Sequence, residues 1–473
     1  MAGARRKRIR IAGFMHRLNH GFLLLVLAVV SFTPLKAEDG PSGPTEPAPA
    51  SGAASSKQDP KSDWMAGFKK HLPDWLGFSG QYRGRVEGMT GREFISGNND
   101  FYYLSQLRLD LNIRVCSQLR VMLEGQDSHA PGLDLHPRPP NFQNSFDLRQ
   151  GYLELHRGDL KAVGLQLGRQ EMSFGEERLI GYGNWSNSSR SFDAARLYIS
   201  TTSARLDILA ASLVRIRDGS FDSPQLKGNN LYGAYASLKS LHHHSTVEPF
   251  LFYRTIHQVR NERGMPGSAG FYVFGARLLG DLPKSFDYNV EMAEELGTYA
   301  ADPVHAWAGH WTLGYTLKNW ETKPRLLIEY NYATGDTSSR DGRHETFDQL
   351  FPTNHSKYGT ADVIGWRNMH NLRAGVEQTF GSNVKLSYDY HSHWLAQAAD
   401  ALYSDNGTPV ARVPGGAANR HVGQEFDVVL SYKISKQYRF GFGYGFLWAG
   451  PFLKQATAGG NVSYPYSFLT YSF

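Results

Sequence analysis

Apolar and polar residues alternate along most of the chain from Gly77 onward. In residues 103–115 the odd positions from 107 carry Leu, Ile or Val, and the even positions from 106 carry Gln, Arg, Asp or Asn. Similar segments recur, separated by stretches rich in Gly, Asn, Asp and Ser. A period of two predicts β-strands with an apolar environment on one side and water on the other.

Aromatic residues favour a membrane as the apolar environment. Tyr and Trp lie toward the ends of the apolar faces, as the interfacial girdles of membrane barrels require. The last residues place Leu469, Tyr471 and Phe473 on one face and resemble the terminal strand of bacterial outer-membrane proteins. An open edge ending on an aromatic residue would invite aggregation, and closure of a barrel removes that edge. The predicted girdle residues are Tyr198, Trp307, Tyr390, Trp394 and Tyr432.

The length sets the size of the barrel. About 400 residues follow the N-terminal region, and a strand with its connection takes roughly 22, which gives about 18 strands. The predicted fold is all-β, a transmembrane antiparallel up-and-down β-barrel of the bacterial outer-membrane type. A barrel of this size encloses an aqueous channel.

The N-terminal region has the features of an export signal. A basic cluster at residues 5–10 precedes an apolar run, Phe22–Val30, and a small-residue cleavage motif that ends at Ala37. This order predicts a signal peptide over residues 1–37. Residues 38–74 are predicted to form a disordered periplasmic tail rich in Pro, Ala and Ser, followed by a short helix that starts at Trp64 and runs to Leu76. The barrel is assigned to residues 75–473.

Removal of the signal peptide changes the charge. Seven basic residues leave with it, and the formal net charge falls from +6 to about −1, which argues against nucleic acid as a partner. The single cysteine, Cys116, cannot form an intramolecular disulfide. The chain combines 13% aromatic residues with a mean hydropathy of −0.43. This combination is typical of a fold with numerous short strands whose inner faces are polar.

Arginines concentrate between residues 148 and 196, together with acidic residues. Guanidinium groups keep their charge and bind carboxylates in a bidentate manner, so a constriction lined by them suits an anionic solute. Alternatively, these arginines and acids form salt-bridge networks that stiffen the wall. The candidate pore arginines of this region are Arg149, Arg169, Arg178, Arg190 and Arg196.

The same region carries a family resemblance. Residues 168–171, 174–175, 178–181, 185–187 and 190–193 resemble the alginate-export family of outer-membrane porins, as do residues 371–375, Asp389, His391, Trp394 and residues 421–427. The resemblance covers residues 75–473. It implies a monomeric barrel of about 18 strands, with an arginine-rich constriction that guides a polyuronate chain out of the cell.

The resemblance implies a set of pore-lining residues, and strand phase adds three arginines from the first strands. Arg169 has the same strand phase as Leu165 and Leu167, which are predicted to face lipid. Because a charged side chain is unfavourable there, we expect Arg169 to lie in a loop above the bilayer. The implied residues are Arg149, Arg169, Arg178, Arg190, Asp193, Arg196 and Arg373, and strand phase adds Arg83, Arg85 and Arg108.

Three other functions compete with an anion channel. The first is a general or differently selective porin. The second is a surface adhesin or receptor with long outer loops at residues 337–364 and 404–420. The third is a barrel hydrolase or metal protein based on residues 242–244, or on Asp389, His391 and His393. No Gly-x-Ser-x-Gly motif is present, and we expect no enzymatic activity, cofactor or metal.

The expected partners follow from this interpretation. They are the lipid of the outer membrane and an anionic polysaccharide or a small anionic solute. A periplasmic export scaffold is a further expectation, because polysaccharide exporters generally work with one. A monomer is expected, since one chain closes one barrel.

Overall fold

A computed structural model describes residues 64–135, 139–157, 160–239, 244–338 and 340–473. The predicted signal peptide and the tail up to residue 63 lie outside the described residues, as do His242 and His243. The described chain starts with helix α1, Trp64–Lys69. This helix is shorter than the predicted one, and Pro73, which cannot continue a helix and restricts the residue before it, follows before β1 begins at Leu76.

Eighteen long antiparallel strands form one sheet, in which each strand pairs with its sequence neighbours along the barrel. The last strand pairs with the first, with Gln81 opposite Ser472 and Glu87 opposite Tyr466. The sheet is therefore a closed barrel, and the prediction of about 18 strands is confirmed. The strands are β1 Leu76–Met89, β2 Asp100–Arg114, β3 Leu119–His129, β4 Asn144–Arg157, β5 Leu160–Gln170, β6 Phe192–Ser200, β7 Ala204–Val214, β8 Gln225–Leu238, β9 Thr246–Arg260, β10 Pro266–Leu282, β11 Phe286–Tyr299, β12 Asp302–Thr316, β13 Arg325–Ala333, β14 Met369–Phe380, β15 Val384–Leu395, β18 His421–Lys433, β19 Tyr438–Ala449 and β20 Val462–Ser472.

The connections between the long strands also contain short elements. Strands β16, Leu402–Tyr403, and β17, Pro409–Ala411, form a separate two-stranded hairpin. Helix α2, Pro451–Ala456, lies between β19 and β20. None of the helices in the described ranges is long and apolar enough to cross a membrane.

The strands alternate as the sequence predicts. In β1, Arg83 and Arg85 are buried on the inner face, whereas Tyr82, the residue before Arg83, is 41% exposed on the outer face. The apolar outer faces provide the surface that lipid covers. Tyr198 departs from the prediction because it faces the lumen, where its hydroxyl donates a hydrogen bond to Glu154 at 2.8 Å. The predicted girdle position of Tyr198 is therefore wrong.

The two ends of the barrel differ in their connections. At one end the strands are joined by short turns, such as residues 115–118, 201–203 and 381–383. The other end has long loops, including residues 171–191, 334–368 and 396–420. We call these the first inner loop, the second inner loop and the hairpin loop. The largest buried side chains include Phe347, Tyr358 and Trp366 of the second inner loop, so part of the apolar core lies inside the barrel.

Candidate functional site

The first inner loop is fastened to the inner wall of β1–β4 by Asn187. The side-chain amide of this residue donates hydrogen bonds to the carbonyl oxygens of Ser105, His129 and Phe142 at 2.9–3.0 Å. The backbone carbonyl of Asn187 accepts hydrogen bonds from Gln106 and other wall side chains. One buried residue thus holds the loop to the wall at both its backbone and its side chain.

Two predicted pore arginines also hold this loop. Arg83 donates to the carbonyl oxygens of Asn184, Trp185 and Ser186 at 2.9–3.2 Å. Arg85 donates to the Trp185 carbonyl at 2.7 Å, and its guanidinium lies 3.8 Å from the centroid of the Trp185 ring. Both arginines lie in the lumen, where they bind the protein's own backbone.

Arg108 and Arg149 share an acidic partner. Arg149 Nη2 lies 2.6 Å from Glu171 Oε1, and Arg108 Nη1 lies 3.5 Å from the same oxygen. Both guanidinium groups also donate to the Ser189 segment of the loop. Arg108 and Arg149, both predicted pore residues, thus form a buried ion-pair network with Glu171 where the first inner loop meets the wall.

Arg178 carries the loop to the opposite wall. Its guanidinium lies 3.2 Å from Glu329 on β13 and 3.2 Å from Glu176 in the same loop. Burial acts to raise the pKa of Glu176, but Arg178 and the other nearby cations outweigh that effect and lower the pKa to about 2. Arg373 on β14 binds the second oxygen of Glu329 at 2.9 Å. The first inner loop therefore spans the lumen between two charged anchoring sites.

The two inner loops join inside the barrel. Ile180 and Phe351 form a parallel β-bridge, with Gly181 N donating to Phe351 O and Phe351 N donating to Leu179 O, both at 2.8 Å. Arg190 strengthens this junction, because its Nη1 donates to the carbonyl oxygens of Gly181, Phe351 and Pro352 at 2.7–3.1 Å.

The second inner loop is also bound to the wall through acidic residues. The backbone N–H groups of Thr360 and Ala361 donate to Asp427 and Glu425 of β18 at 3.1 and 2.8 Å. Segment 337–364, which the adhesin hypothesis places on the surface, thus runs partly inside the barrel. That expectation of a freely projecting outer loop is wrong for its second half, because large apolar side chains there are buried.

Arg190 and Arg254 flank the ring of Phe351, at 5.7 and 4.1 Å from its centroid. We call this group the arginine centre. Neither guanidinium has an ion-pair partner among the described residues, and Nε and Nη1 of the buried Arg254 have no hydrogen-bond partner. Burial and the neighbouring Arg254 and Arg149 lower the pKa of Arg190 to about 10. The arginine centre is therefore a buried cluster of positive charge at the junction of the loops.

The sequence did not single out Arg254. It lies on β9 in phase with Phe250 and Phe252, which are buried on the inner face. Two phenylalanines make this face look lipid-facing in the sequence. The charged Glu248 has the same strand phase as Arg254, and this was the one signal that could have identified the face as the inner one.

Arg169 and Asp193 are the predicted residues that do not reach the lumen. They pair across β5 and β6 at 2.9 Å, in the same phase as the outward-facing Leu167. Arg169 lies in the strand and not in a loop, on the outer surface near the loop end. Arg196 does face the lumen, where it pairs with Asp207 at 2.8 Å.

Two side-chain clusters contain residue types that can bind a metal ion. His391 and His393 face the lumen with parallel rings 5.7 Å apart, and the Nδ1 atoms of both lie 3.2 Å from Asn371 Nδ2. In the described part of the chain, the only three potential ligand residues with atoms within 4.8 Å of one another are Glu262, Asp336 and Asp341. These carboxylates lie in the loops, apart from the two histidines.

Solved structures share this fold. Three porin structures of Pseudomonas aeruginosa match the chain at 11–12% identity, which shows the fold alone. OccD3 (OpdP) has a TM-score of 0.56 at 12% identity, covering 85% of this chain and 92% of its own. OccK3 (OpdO) has a TM-score of 0.57 at 12% identity, with 85% and 97% covered. The outer membrane protein OpdK has a TM-score of 0.57 at 11% identity, with 84% and 98% covered.

No curated protein matches the chain. A closed 18-stranded barrel with an apolar outer surface and charged lumen is an outer-membrane channel of the Gram-negative type. The family model described as alginate export matches residues 74–463, from just before β1 into β20. The protein therefore belongs to the alginate export family.

Proposed function

We propose that this channel passes anionic solutes, and that the arginine centre attracts them. The observation that carries the proposal is the pair Arg190 and Arg254, two buried guanidinium groups without an ion-pair partner among the described residues. The family match favours a polyuronate, a polysaccharide with a carboxylate on each sugar, as the solute.

The distribution of charge supports this role. Most predicted lumen arginines are neutralised by a carboxylate, as Arg149 is by Glu171 and Arg373 by Asp389. At the arginine centre, the charges of Asp348 and Glu295 act on Arg254, but neither forms an ion pair with it in the described part of the chain. A passing carboxylate supplies the missing negative charge, and a planar guanidinium binds it in a bidentate manner. The favoured position for an anion is thus the junction of the two loops.

Passage of a polymer needs more room than passage of a small ion. The inner loops meet across the lumen through the Ile180–Phe351 bridge and the three hydrogen bonds of Arg190. We infer that these loops separate, or move together to one side, when a chain is threaded. The two arginines would then face the cargo, because they lie at the surface where the loops part.

Ion selectivity in planar bilayers tests the proposal. The purified barrel should give a reversal potential of anion-selective sign in a potassium chloride gradient. Arg254→Gln should reduce the ratio of anion to cation permeability, roughly tenfold at most, because it removes a focused charge. Arg169→Gln is the matched control, since it removes the same charge from the outer surface. Cation selectivity, or equal effects of the two variants, would contradict the proposal.

The alternative function is a general or differently selective porin. The porin fold of the solved neighbours and the many paired arginines favour it. Oligouronates distinguish the two functions, because only an exporter of uronates should show current block by them. An anion-selective channel whose current is not blocked by oligouronates is a porin.

A further inference from the structure

A group of basic side chains lies at the end of the barrel that has short turns, apart from the arginine centre. Lys385 on β15, Lys433 on β18 and Arg439 on β19 lie at the ends of three neighbouring strands. Lys433 is directly opposite Arg439, and Lys385 is opposite Ser431, two residues before Lys433. We call these three residues the mouth cluster. Short connections mark the periplasmic end of an outer-membrane barrel, so the mouth cluster lies at the periplasmic opening.

Strand phase places the mouth cluster on the lumen side of the wall. Lys385 shares its phase with His391, and Lys433 shares its phase with Asp427; His391 and Asp427 are both buried on the inner face. Tyr432, the residue before Lys433, is 39% exposed on the outer face. The partner of Lys433 on β19 lies on the same side, because directly opposed residues share a face of the sheet. The three cations therefore face the water of the opening, and lipid meets the residues of the other phase.

The protein does not neutralise the charge of the mouth cluster. None of its three side chains forms an ion pair with a carboxylate in the described part of the chain. Acidic residues of the adjoining wall are already paired, Glu377 with Arg325 at 3.0 Å and Asp389 with Arg373 at 2.7 Å. The turns at residues 381–383 and 434–437 contain no acidic residue. Like charges directly opposite each other on neighbouring strands are destabilising, and a bound anion offsets that cost.

Other turns at the same end combine both signs of charge. Lys284 follows Asp281 by three residues, and Lys318 and Lys323 flank Glu321. All five of these residues are exposed, so their charges partly cancel. The mouth cluster differs because its three cations lie on successive strands, without an acid in the turns beside them. Charge of one sign concentrated at an opening attracts ions of the other sign and raises their rate of association.

We propose that the mouth cluster captures an anionic polymer arriving from the periplasm, before the polymer reaches the arginine centre. This inference rests on the proposed passage of anions and adds a first contact site to it. Neighbouring strands are about 4.8 Å apart, so the three cations can contact several carboxylates of one chain at once. They face into the opening, which admits a polymer chain more readily than a folded protein domain. The favoured ligand is thus a polymer with a carboxylate on each unit.

Single-channel recording with oligogalacturonate, a linear polyuronate, tests the mouth cluster. The oligomer is added first to one chamber and then to the other. Block of the wild-type channel should be about tenfold more frequent from one side, because focused charge raises the association rate there. The triple variant K385Q/K433Q/R439Q should lower the faster rate about tenfold and leave the slower rate unchanged. The difference between the sides should shrink at high ionic strength, since salt screens exposed charges.

The triple variant K284Q/K318Q/K323Q is the matched control, because it removes the same number of positive charges from turns at the same end. It should keep a block rate close to that of the wild type. Equal effects of the two triple variants, or equal block from both sides of the wild-type channel, overturn the proposal. An unchanged block rate in K385Q/K433Q/R439Q also overturns it, and binding of an acidic periplasmic protein would then be the role to test for these cations.

The reversal potential in the same recordings reports the proposed function separately. A cation-selective channel that keeps the asymmetric block contradicts the anion pathway and leaves the capture of the polymer standing. An anion-selective channel without asymmetric block contradicts the mouth cluster alone. Both triple variants should keep their heat-modifiable gel mobility, because the substituted side chains lie at strand ends and in turns.

Discussion

Single side chains decide how the loops are held in this barrel. Arg83 on β1 bonds to the carbonyl of Asn184, 101 residues away, and Arg178 bonds to Glu329, 151 residues away. Strand phase predicts correctly that arginines such as Arg83 and Arg108 face the lumen. Strand phase does not predict whether a lumen arginine pairs with a carboxylate or with a backbone carbonyl. The partner often lies in a loop, and the sequence of a loop has no periodic pattern that would reveal its path.

Asn187 allows the strongest prediction at this scale. Asn187→Ala leaves three buried carbonyl oxygens without their donor, which should lower the free energy of unfolding by about 1–3 kcal/mol. We also expect a larger single-channel conductance, because the first inner loop loses its attachment to the wall. The temperature at which folded gel mobility is lost measures the first effect, and bilayer recording measures the second.

Asn184→Ala is the control for that prediction. The Asn184 side chain makes one long contact with Arg108, at 3.4 Å, so its loss should change the free energy of unfolding by less than about 0.5 kcal/mol. Similar losses in both variants would mean that Asn187 does not anchor the loop.

At the level of elements, strands were predictable and loop paths were not. Alternation identified the faces of β1, β2 and β18, since one face of each meets lipid. It failed for Tyr198 and Arg254, because aromatic residues also line this lumen and imitate a lipid-facing strand. The second inner loop has polar and glycine residues like any outer loop, and large buried apolar side chains such as Phe347, Tyr358 and Trp366 distinguish it.

The second inner loop should therefore restrict the pore. Replacing residues 338–366 with a short Gly-Ser linker should increase single-channel conductance several-fold, because buried side chains leave the lumen. The barrel should still fold, since the replaced residues lie outside the strands. Bilayer recording and heat-modifiable gel mobility measure the two effects.

The same linker in place of residues 261–265 is the control, because most of that connection is exposed. Unchanged conductance after removal of the second inner loop would show that this loop does not occlude the channel.

The whole molecule depends on the seam between β20 and β1. Phe473 and Gly80 exchange backbone hydrogen bonds at 2.9 and 3.0 Å. A Cβ added at Gly80 would lie 2.5 Å from Phe473 Cζ and 2.8 Å from the carbonyl oxygen of Arg108. Gly80→Ala should therefore lower the yield of folded, heat-modifiable barrel.

Gly67→Ala is the matched control for the seam, because nothing lies within 4 Å of a Cβ added there. Equal yields of folded barrel for the two variants would show that the seam tolerates the extra methyl group. The number of strands and the closure were predictable from length and from the C-terminal pattern, whereas the tight contact at Gly80 was not.

The path of the first inner loop also bears on how the barrel matures. The loop follows β5 in the chain, but its residue Arg178 contacts Glu329 on β13. This contact can form only after β13 has joined the sheet. A newly inserted barrel should thus be a wide, leaky tube for a short time. The lumen would be closed only when Arg178 has reached Glu329 and Phe351 of the second inner loop has joined Ile180.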